Sequence, residues 1–372
     1  MTESLTYAGL QFSRATRHDS DDILKLLREN PLGGRYAVTM EREPDPFATD
    51  FGISPNHLIV LARNQETGEV AGMCERTVFK AYVNGKVELL PYLGGLRADP
   101  AYRNRIAAIK GGFRALWQLG ERAGELPYAL TSITSDNDVA QRLLTAGLEG
   151  LPRYEHVGEY VTSVFRTRSG ALPDNIRHAR DSDLPAIVDL LNRQASHVQF
   201  AAAWTVQDLR ALANFGLPTE AFLLHRTDRR LNGCIAVWDQ TAHRQIVVRR
   251  YPKLVKWVRP FANLAGPLLS IPKLPRSGEV LRLANLTHVA VENEDVHIFS
   301  ALIHAALVVA KNSHVDQAAL GMAKGCNLCH RAREYSRTME YNTSLYLVHW
   351  PDAGHEPQDL GPGLVQPELG LL

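Results

Sequence analysis

The chain has 372 residues, 45% of them hydrophobic and 22% charged, which is enough material for two ordinary globular cores. Its 41 Lys and Arg against 40 Asp and Glu leave a formal charge of +1, so bulk electrostatics gives no reason to expect nucleic acid or a membrane as partner. Four cysteines make no disulfide framework at this length, the first residues lack a basic and then apolar leader, and no apolar run reaches the ~20 residues that span a bilayer. The expectation is a cytoplasmic protein with reduced thiols.

In chain order, residues 10–16 ("LQFSRAT") alternate as a strand does, and "HDSDDILKLLREN" reads as a helix. Asp19 or Ser20 is its N-cap, and Ile23, Leu24, Leu26 and Leu27 share one face. The polar, proline-bearing "PLGGRYAVTMEREPDPF" at 31–47 reads as a loop over a site. Strands follow at 57–64, 70–83 and 86–98, the last two joined by a turn at Asn84–Gly85. A helix at about 100–123, a buried strand "LPYALTSIT", a short helix ending at Gly147 and a strand "EYVTSVFRT" complete this part.

After a linker at 168–174 the pattern begins again. "NIRHARDSDLPAIVDLLNRQ" echoes "QFSRATRHDSDDILKLLREN", and "AFLLHRTDRRLNGCIAVWDQ" echoes the hairpin "HLIVLARNQETGEVAGMCER". A period of about 170 residues means duplicated domains rather than a solenoid. The second copy carries an insertion near 243–280, rich in Arg, Lys, Pro and aromatic residues.

The stretch with chemistry in it is "LGGLRADPAYRNRIAAIKGGFRALW", from Leu93 to Trp117. A helix N-terminus presents unpaired N–H groups and partial positive charge, which suits a phosphate. Pro100 sets the turn, Arg103 and Arg105 add cationic donors, and Ala107 and Ala108 leave the first turn open to an anion. In these residues and in the order of its elements, the sequence resembles the GNAT superfamily of N-acetyltransferases. The family motif V-x-P-x-Y-R-x-x-G-x-G/A is met by Ala98, Pro100, Tyr102, Arg103 and Ala108, with Ile106 in place of its first glycine. The family pattern N-x-x-A-x-x-L-x-x-x-G is met by Asn137, Ala140, Leu143 and Gly147.

The resemblance implies an α/β (α+β) fold of two tandem GNAT-like domains, each a mixed, mostly antiparallel central sheet flanked by helices. Their spans would be 1–168 and 174–352, with an irregular tail at 353–372. It implies acetyl-CoA or another acyl-CoA as co-substrate, held by Leu96, Arg97, Ala98, Arg103, Asn104, Arg105, Ile106, Ala107, Ala108 and Asn137. In the second copy Glu292, Glu294 and Asp295 stand where phosphates would sit, so the first copy is the expected donor site and the second a degenerate one.

Acyl transfer to an amine needs a polarised thioester carbonyl and a route for protons. Paired Gly94–Gly95 within a strand signals a bulge or a close ligand approach. The family's frequent base position falls on Tyr92, with Glu88 further back on the same face, and its usual acid tyrosine falls on Leu144. Tyr154 and Tyr160 follow nearby. Arg35, Tyr36, Glu41 and Glu43 lie in the loop where family members meet their acceptor, here a primary amine of a small molecule or peptide. The expected function is acyl-CoA-dependent N-acyltransfer; the alternative is a non-catalytic acyl-CoA-binding or regulatory protein. "CNLCH" at Cys326–His330 matches a haem-attachment signature, and His304 and His314 could supply further metal ligands. Without an export signal the expectation is two buried small residues and a surface histidine, with neither metal nor haem.

Overall fold

The computed structural model describes residues 4–32, 37–48, 51–103, 105–120, 122–228, 230–269, 274–335, 339–350 and 360–372. The first repeat runs β1 (Ser4–Tyr7), β2 (Leu10–Arg14), α1 (Ser20–Glu29), β3 (Ala37–Glu41), β4 (His57–Asn64), β5 (Val70–Val83) and β6 (Lys86–Ala98). It continues through α2 (Ile106–Leu119), β7 (Tyr128–Thr134), α3 (Asp138–Leu144) and β8 (Arg153–Arg166). The second runs β9 (Ile176–His178), α4 (Leu184–Ala195), α5 (Val206–Ala211), β10 (Phe222–Thr227), β11 (Arg230–Trp238), β12 (Gln245–Arg250) and α6 (Lys253–Leu269). It ends with β13 (Leu283–Val291), α7 (Val296–Asn312), β14 (Gln317–Ala323), α8 (Asn327–Tyr335) and β15 (Met339–His349).

Local chemistry explains the repeated units. At the start of α1 the Asp19 carboxylate accepts from Thr16 N–H at 2.8 Å, and at the start of α4 Asp183 accepts from Arg180 N–H at 2.9 Å. Each aspartate closes the turn that launches its helix. Asn84 and Gly85 take φ of 51° and 77°, the left-handed pair that a two-residue hairpin between β5 and β6 requires.

The two repeats share one 13-stranded sheet, in the order β1-β2-β4-β5-β6-β7-β15-β8-β14-β13-β11-β10-β9. Each repeat lends its last strand to the other. β15 pairs antiparallel with β7, and β8 pairs antiparallel with β14. The two lent strands also pair with each other, from Met339–Val164 to His349–Arg153. The sheet is mixed and mostly antiparallel; the parallel pairs are β6 with β7 and β13 with β14. Helices cover both faces. Phe12, Val60, Phe113 and Leu116 form the core on the α2 side, and Ile23, Leu27, Ile59 and Met73 form the core on the α1 side.

Three sequence expectations change. The helix expected over about 100–123 spans Ile106–Leu119, because Asp99 to Tyr102 forms a turn in which Tyr102 N–H donates to Asp99 O at 2.8 Å. The 31–47 segment contains a strand, β3, paired with β12 of the second repeat's insertion. In the described part of the tail, residues 360–372, Val365 and Leu371 are buried and the backbone pairs with Gln199 through Gln199 N–H to Leu364 O and Gln366 N–H to Gln199 O.

Candidate active site

β6 and β7 run parallel and share register at Tyr92–Leu130 and Leu93–Thr131. There the Thr131 hydroxyl donates to Leu93 O at 2.8 Å. Beyond this point β6 bulges: between the pairs Glu75–Gly94 and Met73–Arg97, Cys74 alone opposes Gly95 and Leu96. Gly95 takes φ +59°, a left-handed value, and a Cβ there would stand 3.0 Å from Glu75 Oε2. Backbone close approach and positive φ both call for glycine.

After the bulge the chain turns through Asp99 into α2, whose N-cap residue is Arg105. Among the described residues no side chain caps this end and no acidic residue lies in its first turn. The leading amides of a helix have no partner in an earlier turn, so Ile106 and Ala107 present N–H groups at an uncapped positive end. Below it, Leu96, Arg97, Ala98, Gly72, Ala108 and Phe113 are among the walls of an apolar cleft of about 440 Å³, its open mouth included. Gly111 and Gly112 let α2 lie close on the sheet: a Cβ on Gly111 would strike the Phe12 ring.

Beside the bulge lies a buried polar cluster. Glu75 Oε1 is 2.7 Å from His57 Nε2, and Oε2 accepts from Arg42. Against the desolvation of its site, the Arg42 charge and the His57 bond hold the Glu75 carboxyl far below the ordinary carboxylate range. The Arg97 guanidinium, drawn into the same surroundings, is pushed down to about 10 by burial and by Arg42, and so stays charged at neutral pH.

Tyr92 stands next to the bulge, its ring 3.3 Å from where a Gly94 Cβ would be, with its hydroxyl 2.7 Å from Ser132 Oγ. Burial raises its phenol above the ordinary value, so it is protonated at neutral pH. Glu88 is six residues before Gly94 on β6, opposite Ala81, about 20 Å away at strand rise. The structure therefore brings Tyr92, with its phenol protonated, but not Glu88 to the bulge.

Leu96, Arg97, Ala98 and Ala108 line the cleft, while Arg105 and Ile106 are exposed at its rim. Arg103 is exposed nearby and donates to Asn30 Oδ1 at 2.8 Å and Ala98 O at 3.3 Å. Asn137 caps α3, accepting from Ala140 N–H at 3.2 Å, and Leu144 is buried in the core. Asn104, Arg35 and Tyr36 lie outside the described residues. Glu41 is buried rather than in an open loop; it accepts from Thr39 and forms an ion pair with Arg249 of β12. Tyr154 packs against Phe113 and Tyr346, and Tyr160 donates to Pro367 O at 2.9 Å.

The second repeat has the same frame, filled from within. Between the pairs Cys234–Ala290 and Ala236–Thr287, Ile235 opposes His288 and Val289, so His288 is the counterpart of Gly95. It takes φ +51°. The amide of His288 donates to the carboxylate of Glu368 at 3.0 Å. The Asp295 carboxylate caps α7, accepting from His297 N–H at 2.8 Å and Ile298 N–H at 3.1 Å. Glu292 is paired with Arg193 and Arg230. In this repeat carboxylates of the chain itself occupy the bulge amide and the helix end. Beside them lies an open cleft of about 920 Å³, solvent at its mouth included, bordered by Trp204, Val289, Cys326 and Glu368.

The tail then crosses from one repeat to the other. Arg244 Nη1 donates to Gly370 O at 3.4 Å and to Leu372 O at 3.0 Å, and Leu371 and Leu372 line a small space with Tyr92 and Phe79. Cys326 and Cys329 are free and buried, with Cys329 N–H 3.1 Å from Cys326 Sγ at the start of α8, and His330 is exposed. Among the described residues no three His, Cys, Asp or Glu side chains gather as a metal site.

No protein-family model matches the sequence, and no curated protein matches it. Solved structures do. The structure of Saccharomyces cerevisiae N-myristoyltransferase with bound myristoyl-CoA matches at TM-score 0.59 and 14% identity, over 94% of this chain and 85% of that one. A second structure of that enzyme with myristoyl-CoA matches at 0.59 and 13%, over 98% and 84%. One with myristoyl-CoA and inhibitors matches at 0.57 and 12%, over 96% and 86%. At these identities the likeness is one of architecture: the chain has the tandem GNAT-like fold that the N-myristoyltransferases also have.

Proposed function

We propose that the protein is an acyl-CoA-dependent N-acyltransferase whose donor lies in the first repeat, across the opening between β6 and β7. The observation that carries this is the contrast between the repeats. Asp295 caps α7 in the second repeat, whereas among the described residues α2 has neither a side-chain cap nor an acidic residue in its first turn, and at the bulge Gly95 stands where His288 binds Glu368. By the shared register, Gly95 N–H is the amide that would meet the thioester oxygen, as His288 N–H meets Glu368. A preset donor at the site of developing negative charge lowers the barrier without reorganisation. The open end of α2, with Arg103, Arg105 and the amides of Ile106 and Ala107, would take the pyrophosphate.

The amine, neutral when it attacks, forms the C–N bond and gives its proton to water; the C–S bond breaks, the Tyr92 hydroxyl would donate to the leaving thiolate, and Tyr92 would regain its proton from water. The apolar cleft beneath α2 favours an acyl chain longer than acetyl. The neighbouring fold bound to myristoyl-CoA agrees with that preference. The acceptor is a primary amine of a small molecule or peptide, approaching from the side of β3 and the tail.

The test is titration with acetyl-, octanoyl- and myristoyl-CoA, followed by assay of thiol release against a panel of amines and peptides. Tighter binding of the longer donors with amine-dependent thiol release is the expected result. Failure to bind any acyl-CoA refutes the proposal. Binding without turnover on any amine would leave the acyl-CoA carrier reading, which the buried Leu144 at the family's acid position favours.

A further inference from the structure

We propose that α6 docks the protein on an anionic phospholipid bilayer, lying in the plane of the interface. The helix belongs to the insertion of the second repeat. Trp257, Phe261 and Leu264, spaced i, i+4 and i+7, form one stripe and are 80%, 73% and 81% exposed. They are the three most exposed large apolar side chains among the described residues, and Val258 adds to the patch at 48%. Single exposed apolar residues are ordinary, but an aromatic stripe of this kind marks a surface that is covered in use.

The charge of the segment that carries the stripe says what covers it. Residues 243–282 hold nine Lys and Arg against Glu279 alone, a local charge of +8. The remaining chain has 32 Lys and Arg against 39 Asp and Glu, which is −7, so the overall +1 conceals a strong asymmetry. Arg249 is committed to Glu41 and Arg244 to the tail, whereas Arg250, Arg276 and Arg282 are exposed. A second copy would bring the same positive segment against this one, which like-charge repulsion opposes; an anionic headgroup layer is complementary. Aromatic and aliphatic residues on one face with Lys and Arg around them are the pattern of an interfacial helix. The 17 residues of α6 cover about 25 Å, and among the described residues no helix is long and apolar enough to cross a membrane, so it lies on the bilayer rather than through it. β12, which leads into α6, pairs with β3, its Arg250 end opposite Ala37 and its Gln245 end opposite Glu41, so α6 leaves from the end of that ladder away from Arg42.

The test is flotation of the full chain with vesicles of phosphatidylcholine, and of phosphatidylcholine mixed with phosphatidylglycerol. Binding to the anionic vesicles, weakened by salt, is expected. Trp257→Ser with Phe261→Ser should lower that binding about a hundredfold. Arg250→Glu with Arg282→Glu should lower it about tenfold or more, while thermal unfolding stays unchanged because all four residues are exposed. No vesicle binding, equal binding to neutral vesicles, or undiminished binding of the Trp257–Phe261 variant would overturn the proposal. So would concentration-dependent self-association that these substitutions abolish in the absence of lipid. None of these readouts depends on acyl transfer, so the two proposals stand or fall separately.

Discussion

Replacing Glu368 by Gln tests whether the second repeat's bulge is filled as described. The carboxyl is pushed from 4.5 up to about 7, chiefly by burial and against the bonds it receives from backbone amides. A carboxyl with a raised folded value binds its proton more tightly when folded. Its contribution is therefore complete below about pH 4.5 and is lost as pH rises towards 7. At 1.36 kcal/mol per unit the loss comes to about 3 kcal/mol. Because Glu368 also borders the adjoining cleft, this is an upper figure. His288, pushed from 6.5 down to about 3 by burial, contributes the opposite slope, with stability lost as pH falls below 6.5. The wild type alone thus shows a partly cancelled profile, and the difference between variant and wild type isolates Glu368. Gln keeps an oxygen for His288 N–H and removes the ionisable proton. Urea unfolding of both proteins at about pH 5 and about pH 8 should show near-equal stability at the lower pH and the variant ahead by up to ~3 kcal/mol at the higher. A difference that does not change with pH would refute the reasoning.

Gly95→Ala should destabilise the fold by about 1–3 kcal/mol and depress turnover. It forces an L-residue to φ +59° and sets a methyl against Glu75, which His57 and Arg42 hold in place; chemical unfolding and thiol-release kinetics check both. Arg103→Glu should weaken acyl-CoA binding at least about tenfold in direct titration, while Glu292→Ala in the second repeat leaves it unaltered. Ala108→Phe, which fills the cleft from α2, should lower myristoyl-CoA affinity more than tenfold or so and leave acetyl-CoA affinity nearly unchanged, as competition binding would show.

Much of the frame was legible in the residues. Asn84–Gly85 specified its hairpin, the Gly94–Gly95 pair marked the bulge, and the α1 face was visible in its periodicity, because each depends on neighbours in sequence. Contacts between distant segments were not legible. Nothing near Glu41 in the chain announces Arg249, and nothing in Glu368 announces the amide of His288. The Glu75–His57–Arg42 cluster left a faint trace, the polar triplet Glu75-Arg76-Thr77 inside a mostly apolar strand, all three buried. Such a triplet in a buried strand requires partners, though it does not name them. Aromatic residues and cations in the insertion were visible too, but only the helix shows that Trp257, Phe261 and Leu264 share a face.

The lent strands have a mechanical consequence. Removing the second repeat would strip β15 from both β7 and β8 and β14 from β8, three ladders in all, leaving these strands of the first repeat exposed. Exposed strands of that kind drive aggregation. The halves should therefore unfold in one transition, and a nick in the 168–174 linker should yield two fragments that stay clasped until denaturant separates them. Duplication here has produced a handshake rather than two beads, so a loss of packing in the unfilled repeat is felt at once in the filled one.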